Sequence, residues 1–172
     1  QAHARAVTSH ALTLFDLLAP MHNLPPERRS LLETAAQVHD IGLGTDPTRH
    51  HVAGRDILLG YPPAGLDEKE RVMVALITFL HRKRVTRKKL KKLAQTSFAT
   101  LDESAQAETL AIAALLRVAD GLDYSQTSSS RLGQILQTDA VVEIEVKGPC
   151  ASEDARRAQA KSDLWHLLSE TD

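Results

Sequence analysis

Histidine and aspartate recur where apolar helical segments of this 172-residue chain run out. His39-Asp40 closes one segment, His81 falls in the last turn of another, and Asp120 lies near the end of a third with Asp123 three residues on. Asp120 belongs to the run Leu115-Leu116-Arg117-Val118-Ala119-Asp120, where burying a carboxylate is costly unless it is paired or coordinated. A divalent cation supplies that compensation. Mixed imidazole and carboxylate donors suit Zn, Mn, Fe, Co or Ni better than Ca. Adjacent ligands at a frayed helix end can both reach one ion, their side chains lying ~100° apart about the axis. Ligands from other helices can then close the shell inside a bundle. His10, His22 and His166 read as surface or cap residues, and Cys150 as a plain loop residue.

The elements that must position these groups are mainly helical. Ala6, Val7, Ala11, Leu14, Phe15 and Leu18 recur at helical intervals and predict a helix over His3 to Leu18. Pro25-Pro26 opens a second, which carries Leu31, Leu32, Ala35, Ala36 and Val38 into His39-Asp40 and ends at Ile41-Gly42-Leu43-Gly44. His50 to Leu59 predicts a short helix closed by Gly60 and Pro62-Pro63. Asp67 to Arg84 predicts a long one, and Ser104 to Leu122 a central, buried one. Beyond Ser125 the character changes. Ser128-Ser129-Ser130 reads as loop, and Val141 to Val146 is the one strong strand candidate. Ser152 then caps a last helix, Glu153 to Leu168, packed through Trp165. The expected architecture is a helical domain over 1–126 with a strand-plus-helix extension over 127–172.

Bulk properties narrow the function classes. A net charge of −1 points to no partner, but eight of the 21 basic residues fall between Arg82 and Lys92. Arg84, Arg87, Lys88, Lys89, Lys91 and Lys92 in that run suggest a polyanion track toward His81, against the plainer reading of a solvated face. Aromatics make up only 3%, which argues for polyphosphate over nucleic acid. No apolar run approaches the ~20 residues that span a bilayer. A single cysteine excludes an internal disulfide and fits a cytoplasmic setting. Starting at Gln1, the chain reads as a piece of a longer protein.

His3, His39-Asp40 and Asp120, in that order and on those helices, resemble the HD-domain metal-dependent phosphohydrolases. His39-Asp40-Ile41-Gly42 matches their commonest central motif as it stands. Members with a second metal add two histidines; His50 in His50-His51-Val52-Ala53-Gly54 and His81 stand at the matching places. A closer resemblance, spread over nearly the whole chain, is to the C-terminal HD-type region of the exopolyphosphatase and guanosine pentaphosphate phosphatase family. It is carried by His3-Ala4-Arg5 through Leu18, His39 to Gly42, His50-His51, His81-Arg82-Lys83, Leu116 to Asp123, and Lys161-Ser162-Asp163-Leu164-Trp165.

The resemblance implies an HD-type bundle holding one or two divalent ions (Mn, Fe, Co, Ni, Zn or Mg). Its ligands would be His3, His39, Asp40, His50, His81 and Asp120, with Asp40 bridging and His51 and Arg117 behind them. It implies hydrolysis of a phosphate ester or anhydride: a nucleotide, a guanosine alarmone or polyphosphate. Asp40, Asp120 or Asp123 would manage protons, and Arg82, Lys83 or Arg117 would face the phosphate. The departures are Leu43, where catalytic HD enzymes often carry lysine, and the lack of any Gly-rich phosphate loop. The alternative reading is a non-catalytic binding module that takes up polyphosphate or a nucleotide, dimerises, and packs against an actin-like phosphatase domain.

Overall fold

The computed structural model describes residues 1–138 and 141–170. Helix α1 (Ala2–Leu17) buries Val7, Ala11, Leu14 and Phe15, the face its apolar spacing marks out. A short α2 (Ala19–His22) follows, and His22 closes it, its Nε2 on the Phe15 carbonyl and its Nδ1 accepting from Leu24 N–H. The two prolines form a turn rather than the first helical residues. Arg28 N–H donates to Pro25 O and Arg29 N–H to Pro26 O, so α3 runs Arg28–Val38.

A tight 3-10 turn (Ile41–Gly44) leads to α4 (His50–Gly60). Helix α5 (Glu68–Leu80) starts with a capping box between Asp67 and Glu70. It is shorter than predicted: it ends at Leu80, and His81 is its C-cap. The basic run then makes a helix of its own, α6 (Arg87–Leu93), capped by Thr86. After a 3-10 turn (Ser97–Thr100), α7 (Glu103–Gly121) crosses the centre, with Ile112, Ala113, Leu115 and Leu116 fully buried. Helices α1, α3, α5 and α7 pack around one apolar core.

Strands β1 (Arg131–Gln137) and β2 (Val142–Lys147) form a two-stranded antiparallel sheet. Only β2 is legible as a strand. In β1, Gly133 and Gln134 fall where the register slips between Leu132 and Ile135, so no clean alternation marks it. The last helix is in fact two, α8 (Ala151–Ala160) and α9 (Asp163–Ser169). Cys150 stands at the N-cap of α8, and Ser152 lies inside the helix, not at its cap. The break at Lys161-Ser162 comes where both flanking side chains are drawn inward, Lys161 to Asp120 and Asp163 to Arg117. No helix among the described residues is long and apolar enough to cross a membrane.

Candidate metal centre

Four imidazoles lie in a row where α1, α3, α4 and α5 converge. Ring centroids are 5.3 Å apart for His3–His39, 5.2 Å for His39–His81 and 5.2 Å for His50–His81. Two carboxylates face the row. Asp40 Oδ2 lies 3.4 Å from His39 Nε2, while its Oδ1 lies 3.2 Å from His50 Nε2 and 3.6 Å from His81 Nε2. Asp120 Oδ1 lies 3.2 Å from His3 Nε2 and 3.8 Å from His39 Nε2. The groups sort into two sets, His3-His39-Asp120 and Asp40-His50-His81. In each, one donor atom per residue lies within 4.8 Å of the others. Asp40 stands between the sets, one oxygen toward each.

The donor chemistry fits a cation. His39 Nδ1 lies 2.7 Å from Ala36 O, an acceptor, so that nitrogen carries the hydrogen and Nε2 presents a lone pair. This Nε2 is buried without a hydrogen-bond partner, aimed at two carboxylates that are themselves acceptors. His81 repeats the device, with Nδ1–H on Thr78 O and Nε2 facing Asp40 Oδ1. Acceptors converging on one space need a proton or a metal ion between them.

Local sequence explains the convergence. Gly42 lets the 3-10 turn lie against the start of α4: a Cβ there would sit 2.2 Å from His50 O and 2.5 Å from Gly54 N. Asp46 then accepts from Thr48 N–H and Arg49 N–H, setting the entry to α4 so that His50 turns inward. Gly42→Ala is expected to push His50 outward. A titration with Mn should show the affinity of the His50–His81 set falling about tenfold to a hundredfold, as for other losses of ligand support; an unchanged second site would contradict this.

The family model for Ppx/GppA phosphatase, domain III, matches residues 1–165. The chain belongs to this family. No curated protein matches it.

Within this Ppx/GppA domain III, several side chains stand away from the roles the sequence suggests. Asp123 is fully buried behind His3: its Oδ2 is 2.8 Å from His3 Nδ1 and its Oδ1 accepts from Ser128 N–H. It orients His3 and has no exposed surface. Arg117 is also unavailable to a phosphate. Only 1% exposed, it makes a bidentate pair with Asp163 and donates to Leu80 O and Lys83 O, on either side of His81.

His51 turns away from the row and stacks on Phe79, ring centroids 5.7 Å apart. Burial and the surrounding cations hold its pKa down to about 4, so it is neutral. His10 is buried, not on the surface, with Nε2 unpartnered.

The basic run does not form one open track. Arg82 reaches back to Thr48 O (2.6 Å) and lies 3.1 Å from His50 Nδ1, and Arg87 pairs with Glu170. The Lys89 ammonium is buried 5.0 Å over the Phe79 ring, and burial lowers its pKa to about 8. Lys83, Arg84, Lys88, Lys91 and Lys92 remain exposed.

One site residue carries no chemical signal of its own in the sequence, although it opens the Lys161-Ser162-Asp163-Leu164-Trp165 segment of the family resemblance. Lys161, 41 positions beyond Asp120, places its ammonium on Asp120 Oδ2 from the turn between α8 and α9. A lone lysine at a helix break looks like any other solvated lysine.

The charges give the metal-free protein a pH profile. Burial pulls the His3 pKa down, but its bonds to Asp120 and Asp123 outweigh this and raise it to about 9. The resulting stability is fully present below the ordinary value of 6.5 and is lost as pH rises through about 9. For Asp40, burial works upward, yet in the metal-free protein, where a proton stands in for the cation between the groups, His81 and His39 hold the pKa down to about 2. Its contribution is present above 3.8 and is lost as pH falls through about 2. Urea midpoints in chelator are therefore expected to decline between pH 7 and 9.5. A flat profile there would show that His3 does not gain its proton from this site.

Proposed function

We propose that this domain is a divalent-metal-dependent phosphohydrolase of HD type, acting on a phosphate ester or anhydride such as a nucleotide, a guanosine alarmone or polyphosphate. The observation that carries this reading is the pair of His/Asp sets with Asp40 between them. Membership of a phosphatase family supports a phosphorylated substrate. Bound divalent ions would polarise a phosphoryl oxygen and bring the pKa of a coordinated water toward neutrality.

The chain's own residues do the rest. His3, His39 and Asp120 would hold one ion and His50 and His81 the other, with Asp40 spanning both. Asp123 fixes the ring of His3. Asp40 is the most exposed of the three carboxylates, at 24% against 13% for Asp120 and 0% for Asp123. That places Asp40 nearest the mouth, where it would hold both ions beside the reacting water. Lys83, exposed two residues after His81, can meet the substrate's outer phosphates. A cytoplasmic setting beside an actin-like phosphatase module goes with this reading.

The test is turnover by the chain itself, stripped with chelator and reloaded with Mn or Co, against polyphosphate and a panel of nucleotides. Orthophosphate release that depends on the added ion is expected. Metal uptake with no release from any substrate would contradict the catalytic reading.

A further inference from the structure

We propose that Lys161 and the ion held by His3, His39 and Asp120 together form a subsite for one phosphoryl oxygen of the substrate. This inference rests on the metal reading above. The Asp120 carboxylate is divided between two tasks. Its Oδ1 faces His3 Nε2 at 3.2 Å and His39 Nε2 at 3.8 Å, while its Oδ2 takes the Lys161 ammonium. An ion held by Oδ1 and the two imidazoles would leave Lys161 on Oδ2, so one carboxylate would serve both the ammonium and the ion.

An ammonium has three N–H donors. One goes to Asp120 Oδ2 and one, at 3.4 Å, to the His81 carbonyl. The third has no partner among the described residues, and the side chain is 22% exposed, so it lies at the lip of the site. Its other contact, the His81 carbonyl, belongs to the second metal set, so Lys161 touches residues of both.

The position is held from several directions. Helix α8 is pressed onto α7 at Gly121, where a Cβ would fall 2.5 Å from Ala158 Cα. Lys161 N–H closes the end of α8 on Arg157 O and Ala158 O. Two residues on, Asp163 is fixed by Arg117 and by Val85 N–H. A lysine pinned in this way is a point charge with one free donor beside a cation, which matches the oxygen of a tetrahedral phosphoryl group. Were it only a counter-ion for Asp120, its loss would disturb metal uptake and leave phosphate untouched.

The test uses the whole chain saturated with Mn, inorganic phosphate as the probe, and calorimetry, alongside metal content by elemental analysis. In Lys161→Met, full metal content with phosphate affinity weaker by about tenfold to a hundredfold is expected, the effect of one charge-assisted hydrogen bond. Lys161→Arg, which keeps the charge, should recover part of that affinity. Full metal content with unchanged phosphate affinity overturns the proposal, and so does loss of the metal in Lys161→Met, which would make Lys161 a support for Asp120 alone. Wild-type chain without metal would instead overturn the metal reading on which the proposal stands.

Discussion

Asp40→Ala is expected to remove both metal sites at once and to lower phosphohydrolase turnover by on the order of a thousandfold or more. Every other candidate ligand belongs to one set, whereas Asp40 offers one oxygen to His39 and the other to His50 and His81. Without it, three imidazoles with inward-facing nitrogens have no negative charge between them on that side. Metal ions supply several kcal/mol of transition-state stabilisation, and about 4 kcal/mol corresponds to roughly a thousandfold in rate. His50→Ala should be milder, because it leaves the His3-His39-Asp120 set whole. The measurement is metal content and initial rate for both variants. Equal effects would contradict the special place of Asp40.

Asp163→Ala is expected to destabilise the fold by about 3–5 kcal/mol, the usual cost of stranding a buried charge. The stranded group is Arg117, 1% exposed and held by three hydrogen bonds to Asp163. Its remaining bonds reach Leu80 O and Lys83 O, so the variant also loosens the segment that carries His81. Asp163 accepts from Val85 N–H as well, and that donor would be left without its partner. Urea unfolding measures the loss. The double variant Arg117→Met, Asp163→Leu should cost less than Asp163→Ala, since no charge is left behind. A loss under about 1 kcal/mol for Asp163→Ala would show that water reaches Arg117 freely.

Much of the helical body was legible because its apolar spacing is regular. The core face of α1 and the buried face of α7 both follow from it. The acid in the apolar run of α7 was a sound signal too: Asp120 does face inward, toward His3 and His39.

Direction was harder to read than position. Asp123 and Arg117 lie within six residues of each other, yet one turns behind His3 and the other away toward α9. Spacing along the chain does not encode which partner a polar side chain finds. The basic run illustrates the same limit. It reads as a uniform stretch of charge, but Lys89 lies over an aromatic ring and Arg87 is paired. Strand β1 was lost to its bulge and the helix break at Lys161 to long-range contacts, each set by tertiary packing rather than local preference.

On the proposed reading, two cations fit between these histidines and aspartates, with Asp40 shared. Anomalous diffraction from crystals grown with Mn at pH 7.5 tests it most directly. Two peaks are expected, one among His3, His39 and Asp120 and one among His50 and His81, each within bonding reach of an Asp40 oxygen. Maps with no peak at either set, from protein otherwise folded as described, would contradict it.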